Sequence, residues 1–200
     1  MNGHNGLKLP LNVKQMKARE DFTVQFWMRS AKSLKQRASD ASGTFAMPEV
    51  LVNIPGVLFC YIQIADFICE VGPVTGPSVA LVLSDEGLGK VGHALPDTRQ
   101  WAHFTFSSDV DCKKGNSYIR IDYLSNEKPY FSREVKCKKL AQKVLWKQEQ
   151  KYAFLGLSGY QRDKSIPRSL TAGFVGDLRE FVVLKGHRTR TVRLDSFHVT

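Results

Sequence analysis

The stretch Asp21–Arg29, DFTVQFWMR, decides the fold of this chain. Four apolar side chains at every second position point to one side, namely Phe22, Val24, Phe26 and Met28. The four side chains between them point to the other side, namely Thr23, Gln25, Trp27 and Arg29. A period of two in aromatic and β-branched residues is typical of a β-strand that buries one face. We therefore expect a core strand here, with Trp27 either covered by a loop or open to a partner.

Short apolar stretches with similar patterning recur along the chain, separated by glycine, proline and polar turns. We expect strands at residues 6–12, 50–52, 57–62, 67–71, 78–83, 101–107, 117–124, 130–135, 152–157, 174–185 and 192–199. Around a dozen short strands with little helix predict an all-β fold, a sandwich of two sheets. The first and last strands are expected to be neighbours, and Pro10 limits its strand to a sheet edge or a strand end.

Three segments need separate interpretation. Residues 32–43 are polar and lack strand periodicity, so they predict a surface loop that could contain a helical turn. Residues 137–150 fit either a basic amphipathic helix or the start of a strand; Trp146 there is expected to pack onto the sandwich. In the 174–185 strand, alternation places Phe181 and Val183 opposite the side chains of Leu178, Val182 and Leu184.

Residues 87–92 read GLGKVG, which matches the G-x-G-x-x-G pattern of dinucleotide-binding turns. That turn requires a helix that begins at the glycines, because the pyrophosphate sits on the helix N-terminus. Here Pro96 follows at once and the chain continues as strand. We interpret the stretch as a glycine-rich hairpin loop.

Length and charge constrain the class of protein. The 200 residues suit a single domain spanning 1–200, which can bury a core without metal or disulfide support. The formal net charge is +10, but residues 38–112 hold nine acids against two bases and residues 113–151 hold eleven bases against four acids. This uneven distribution favours an anionic partner.

The chain contains no apolar run of membrane-span length, no hydrophobic signal core and no N-x-S/T sequon. These features favour an intracellular location, or an extracellular one if a signal was removed. We expect its four cysteines, Cys60, Cys69, Cys112 and Cys137, to be buried thiols. Cys60 and Cys69 could nevertheless face each other across a hairpin, and Cys112 and Cys137 could bracket another pair of strands.

Three stretches in order give the chain a family resemblance. FTVQFWMR, then WAHFTFSSD with SYIRIDYL, then FLGLS and FVGDLREFVVLKG resemble the concanavalin A-like jelly-roll superfamily, specifically laminin-G-like and pentraxin-like domains. The resemblance covers about residues 6–199 and implies two antiparallel sheets packed face to face. It departs from the family at residues 122–126, where the usual Asn-Gly turn is missing. Within the family His103, in its W-x-H, is structural.

The superfamily includes calcium-binding members and glucanases, so the resemblance requires calcium binding and glycan hydrolysis to be considered. Calcium needs clustered oxygen ligands, and Asp109, Asp111 and Asp177 are too few to assign a site. Glycoside hydrolysis needs two carboxylates close together, and no strand with an E-x-D-x-x-E pattern exists. Nucleophile motifs such as G-x-S-x-G are also absent from the sequence. We therefore expect no enzyme and no cofactor, and we assign no metal ligand, with calcium kept as an alternative that lacks a convincing ligand set.

The sequence thus predicts a non-catalytic binding module for a glycan or a protein, with an anionic partner favoured. The alternative is a structural or docking domain of a larger protein or assembly that uses its basic surfaces. Nucleic acid is not expected, because no recognised module and no exposed aromatics accompany the lysines. The oligomeric state is left open. Candidate contact residues are Trp27, Arg29, Lys113, Lys114, Lys138, Lys139 and Lys143, with Lys136 and Lys147 added in the docking alternative.

Overall fold

The computed structural model describes residues 6–11, 21–33, 36, 39, 48–63, 66–71, 79–83, 101–108, 117–123, 131–135, 152–156 and 172–186. The described residues form strands β1 (Leu7–Pro10), β2 (Phe22–Ser30), β3 (Glu49–Ile54), β4 (Leu58–Gln63), β5 (Asp66–Val71), β6 (Val79–Leu83), β7 (Ala102–Ser108), β8 (Ser117–Tyr123), β9 (Phe131–Val135), β10 (Tyr152–Leu155), β11 (Ala172–Gly173) and β12 (Gly176–Lys185). The all-β prediction is confirmed.

The strands form two sheets. The seven-stranded sheet has the order β1-β10-β3-β4-β5-β6, with β11 also paired to β3, and the five-stranded sheet has the order β12-β2-β7-β8-β9. All pairs are antiparallel except the two-residue pair of β11 with β3. Strand β2 lies inside the five-stranded sheet, between β12 and β7, so both of its edges are hydrogen-bonded.

The core lies between the two sheets and contains the apolar face of β2, as predicted. Phe22, Val24, Phe26 and Met28 are at most 2% exposed and belong to one buried cluster. Phe104 of β7 stacks on Phe26 with centroids 5.4 Å apart, and it also contacts Phe67 of β5, with centroids 4.5 Å apart. Phe104 therefore joins the two sheets. The apolar face of β2 belongs to the scaffold and does not form a site.

The predicted face of Leu178 is wrong. Alternation placed Leu178 opposite Phe181 and Val183, but all three pack against the core. The register between β12 and β2 shifts between Arg179 and Val182, which marks a β-bulge, and Glu180 there has a φ of 54°. The extra residue of a bulge changes which face the following side chains point to, so residues before and after the bulge no longer alternate as one series. The apolar pattern of the sequence does not reveal where such a bulge lies.

The prediction of four free thiols is also wrong for two of them. Cys60 and Cys69 form a disulfide, with Cα atoms 4.2 Å apart. The two residues are direct partners in the register of β4 and β5, a hairpin whose side chains meet closely at such positions. The two remaining cysteines, Cys112 and Cys137, lie outside the described residues.

The polar segment after β2 begins a helical turn, which the sequence left open. Ser33 Oγ accepts the backbone N–H of Gln36, and Gln36 Oε1 accepts the backbone N–H of Ser33. This reciprocal pair is a capping box, the arrangement that satisfies free amides at a helix start. Gln36 and Ser39 accordingly have helical conformation.

Several sequence predictions concern parts of the chain that the structure does not describe. These are the glycine-rich loop at 87–92, the helix or strand at 137–150 with Trp146, and the last strand at 192–199. The predicted neighbourhood of the first and last strands is therefore untested. The described partner of β1 is β10.

Candidate functional site

The outer face of the five-stranded sheet carries polar side chains that are buried. Thr23 Oγ1 lies 3.1 Å from Ser107 Oγ and donates a hydrogen bond of 2.8 Å to the carbonyl oxygen of Gly186. Gln25 Nε2 donates to Thr105 Oγ1 over 3.5 Å. These four side chains are at most 6% exposed. They pair with each other across β2 and β7, so this part of the face is structural and does not offer open polar groups.

The same face changes character toward the end of β2. Trp27 and Arg29 continue the outward series, and their register partners on β12 are Arg179 and Asp177. On the other side of β2 the partner of Trp27 is His103, and Trp101 stands just before β7. We name this group the Trp–Arg cluster, and its members are Trp27, Arg29, Trp101, His103, Asp177 and Arg179.

Arg179 contacts both tryptophans of the Trp–Arg cluster. Its guanidinium carbon lies 4.0 Å from the ring centroid of Trp101 and 6.0 Å from that of Trp27. A guanidinium over an aromatic face is attracted by the negative charge of the ring face, and indole is the strongest partner for it. Arg179 remains exposed while both rings are half-buried. The rings thus hold a cation at the protein surface.

Arg29 is held by two partners of different kinds. Its Nε and Nη2 atoms donate to Asp177 Oδ2 over 2.8 and 2.6 Å, and its guanidinium carbon lies 4.9 Å from the centroid of Trp101. The side chains of this ion pair are 42% and 50% exposed, so solvent screens the attraction and the pair adds little stability. Its main effect is to fix the orientation of Arg29.

His103 lies beside Trp27 as its register partner on β7, with ring centroids 4.8 Å apart and an angle of 53° between the planes. Its residue exposure is 7%, so it is a packed residue of β7, in keeping with the structural role that the resemblance implies. Its imidazole packs against the indole of Trp27 from the neighbouring strand.

Two backbone features set the position of β12 against β2. Gly176 has a φ of 153°, and a Cβ atom there would meet the carbonyl oxygen of Arg29 and the ring of Phe174. Four residues further along β12, the bulge at Glu180 ends the regular pairing. Asp177 and Arg179 lie between these two features, so both residues keep a defined register opposite Arg29 and Trp27.

Only part of the predicted contact set can be placed. Trp27 and Arg29 lie together in the Trp–Arg cluster, on the outer face of β2. Lys113, Lys114, Lys138, Lys139 and Lys143 lie outside the described residues, as do Lys136 and Lys147. Whether any of these residues binds a ligand remains a prediction.

Sequence reasoning did not name Trp101, Asp177 or Arg179 as contact residues. The signal for Trp101 was the W-x-H spacing, because Trp101 and His103 share a face with Trp27 once β2 pairs with β7. The signal for Asp177 and Arg179 was weaker, because it depends on knowing that the β12 strand pairs with β2 and in which register.

The Trp–Arg cluster has the chemistry of a binding surface. It offers two aromatic faces and two guanidinium groups, which suit planar anions and apolar ring faces.

Among the described residues, no group of three histidine, cysteine or acidic side chains is placed to hold a metal ion. Asp177, one of three acids weighed for calcium, is paired with Arg29. Within the described ranges no helix is long and apolar enough to cross a membrane.

No family model matches this chain, and no curated protein matches it in sequence. Solved structures do resemble it. The botulinum neurotoxin serotype G binding domain is 13% identical with a TM-score of 0.57, covering 94% of this chain and 39% of that chain. Domains LG4-5 of the mouse laminin alpha1 chain are 14% identical with a TM-score of 0.53, covering 93% and 40%.

A third neighbour is the binding domain of botulinum neurotoxin DC in complex with rat synaptotagmin II. It is 12% identical with a TM-score of 0.52, covering 92% of this chain and 37% of that chain. The chain thus spans about two fifths of the length of the structures that it matches. At these identities the likeness concerns the fold alone, and it shows that the chain has the jelly-roll β-sandwich fold shared by laminin LG domains and botulinum neurotoxin binding domains.

Proposed function

We propose that this chain is a non-catalytic binding module that recognises an anionic glycan through the Trp–Arg cluster. The observation that carries the proposal is the exposed guanidinium of Arg179, held 4.0 Å from Trp101 and 6.0 Å from Trp27. The proposal treats residues 1–200 as one binding domain.

The chemistry of the cluster fits an acidic sugar. A sulfate or carboxylate accepts paired hydrogen bonds from a guanidinium, and arginine suits this geometry better than lysine. The C–H face of a sugar ring packs on an indole, as apolar surfaces do on aromatic side chains. Because Arg29 is already oriented by Asp177 and Trp101, a ligand would restrict few additional side-chain rotations.

The structural neighbours support binding as the class of function. Both botulinum neurotoxin neighbours are binding domains, and one of them is in complex with rat synaptotagmin II. This support is analogy at the level of the fold, and the ligand argument depends on the cluster itself.

The test uses a heparin-derived hexasaccharide and its fully desulfated counterpart as probes. We expect the sulfated probe to change tryptophan fluorescence, because Trp27 and Trp101 lie in the Trp–Arg cluster. The Arg179→Gln variant should weaken this binding at least tenfold, and added salt should weaken it in the wild type.

Lys185→Gln is the matched control, because Lys185 is an exposed cation on the same strand, beyond the bulge. Equal losses in the two variants would show that net charge matters and the cluster does not. Equal affinity for the sulfated and desulfated probes would refute recognition of an anionic glycan.

The docking alternative predicts a different result. It places the contacts on the lysines of residues 113–147, which lie outside the described residues. If neither glycan probe binds, while an acidic protein partner binds in a salt-dependent way and loses affinity on replacing Lys138 and Lys139, the docking alternative is the better account.

A further inference from the structure

We propose that the outer face of the seven-stranded sheet is a second, independent ligand site, and that it binds a neutral oligosaccharide. The face is defined by alternation: Val52, Ile54, Cys60, Cys69, Ala153 and Leu155 all lie in the core, so the residues between them point outward. The site is on the opposite side of the sandwich from the Trp–Arg cluster, and the proposal does not rest on the function proposed above.

One row of side chains crosses five neighbouring strands of this sheet. Direct register partners connect Lys8 to Phe154, Phe154 to Asn53, Asn53 to Phe59 and Phe59 to Glu70. At about 4.8 Å between strands, Phe154 and Phe59 stand roughly 10 Å apart with Asn53 between them. The two phenyl groups are half-buried, so each keeps part of its ring at the surface.

Two tyrosines widen the aromatic surface on either side of this row. Tyr61 lies against Phe59 with ring centroids 5.4 Å apart, and Tyr152 is 37% exposed two residues from Phe154. The ammonium group of Lys8 covers the ring of Tyr152 at 3.9 Å. We name Phe59, Tyr61, Tyr152 and Phe154 the aromatic row.

A buried amide between Phe154 and Phe59 of the aromatic row points to a polar ligand. Asn53 is 1% exposed, and among the described residues its Nδ2 atom has no hydrogen-bond partner. Buried side-chain donors are nearly always paired, because an unpaired donor loses its hydration without replacement. A ligand hydroxyl that reaches between Phe154 and Phe59 would supply the missing acceptor.

A fixed carboxylate flanks the same row. Glu70 Oε1 accepts a hydrogen bond of 2.9 Å from the Tyr61 hydroxyl, which orients both groups beside Phe59. Aromatic faces with a few fixed donors and acceptors are typical of sites that bind ligands with apolar ring faces and polar edges. Sugar rings have this character.

Charge separates this ligand from the anionic one proposed for the Trp–Arg cluster. The line of register partners across the five strands has a cation at one end, Lys8, and a carboxylate at the other, Glu70. The Trp–Arg cluster instead has two arginines and one aspartate. A sulfated or carboxylated glycan would meet Glu70 as a like charge. We therefore infer a neutral chain of two or more sugar rings, which can reach both phenyl groups.

The test titrates the full chain with cellohexaose, mannohexaose and maltohexaose. Isotope-labelled protein gives a direct NMR readout, since the side-chain amide of Asn53 should shift with at least one of the three probes. Trp27 and Trp101 lie on the opposite side of the sandwich. The shift of the Asn53 amide should therefore occur without a change in the fluorescence of these two tryptophans.

Variants then locate the site. We expect Phe59→Ala and Phe154→Ala each to weaken the binding at least fivefold, with Arg179→Gln as the control that leaves it unchanged. Tyr61→Phe keeps the ring but removes its bond to Glu70, and it should weaken binding less than Phe59→Ala. Thermal unfolding checks that each variant is folded.

Two results would overturn the proposal. One is the absence of any shift of the Asn53 amide in the wild-type protein at millimolar concentrations of all three probes, a measurement that needs no variant to fold. The other is binding that survives Phe59→Ala and Phe154→Ala but is lost in Arg179→Gln, which would place the sugar at the Trp–Arg cluster instead.

Discussion

The guanidinium of Arg179 stacks on the indole of Trp101, with the guanidinium carbon 4.0 Å from the ring centroid. Arg179 is exposed and lies on β12, an edge strand of its sheet as far as the described residues show, so this contact costs little desolvation. A contact of this kind contributes about 0.5–1 kcal/mol at an exposed site. Because the contact contributes so little to stability, replacing Arg179 can test ligand binding without unfolding the domain.

We expect Arg179→Ala to lower the free energy of unfolding by no more than about 1 kcal/mol. Chemical denaturation measures this change, and tryptophan emission should shift as Trp101 loses its cover. Arg179→Lys keeps the charge but loses the planar stack, so it should retain part of the salt-dependent glycan binding and lose its specificity. A loss of several kcal/mol in Arg179→Ala would instead assign the residue to the scaffold.

The scaffold could be predicted from the sequence because burial leaves a pattern. The apolar face of β2 shows in the alternation of Phe22, Val24, Phe26 and Met28, and the structure confirms that all four are in the core. The presence of a strand and its buried face can be predicted from the strand's own sequence, because alternation with a period of two does not depend on which strand lies beside it.

The Trp–Arg cluster could be predicted only in part. Trp27 and Arg29 stood out because they are an unusual pair on the outer face of a strand. Arg179 and Asp177 join them only through the pairing of β12 with β2, about 150 residues apart in sequence, and through a bulge at Glu180. Long-range register depends on tertiary packing, which no local pattern encodes.

The contact between Phe104 and Phe67 joins the two sheets, so its loss should be costly. We expect Phe104→Ala to lower the free energy of unfolding by about 3–5 kcal/mol, from lost burial and the cavity left between the sheets. Urea denaturation followed by circular dichroism measures this change. Leu7→Ala is the control, because Leu7 is 50% exposed and should change stability by about 0.5 kcal/mol or less. Similar losses in both variants would contradict the assigned core.

Gly176 permits the close approach of β12 to Arg29. We expect Gly176→Ala to destabilise the fold by more than about 1 kcal/mol, because the new Cβ would meet the carbonyl oxygen of Arg29 and the buried ring of Phe174. Gly186→Ala is the matched control: its φ is 93°, but among the described residues, its chain neighbours aside, no atom lies within 4 Å of the added Cβ. Thermal unfolding of both variants should show the larger loss for Gly176→Ala. Equal losses would mean that only backbone conformation matters at residue 176.

The disulfide between Cys60 and Cys69 joins β4 and β5 across a sequence separation of 9 residues. A cross-link that closes a loop of this size is expected to contribute about 2–3 kcal/mol, mainly by restricting the unfolded chain. We therefore expect the Cys60→Ala, Cys69→Ala double variant to lose about this much stability, and a reductant to lower the stability of the wild type similarly.

The same experiment can isolate this bond from the other cysteines. In the Cys112→Ala, Cys137→Ala variant the effect of the reductant should persist, whereas in the Cys60→Ala, Cys69→Ala variant it should vanish if this bond is its source. Alkylation of the unfolded, unreduced protein followed by mass spectrometry should find Cys60 and Cys69 blocked from reaction. Labelling of all four cysteines would instead support the buried thiols that the sequence predicted, because every cysteine would then be reduced in the isolated protein.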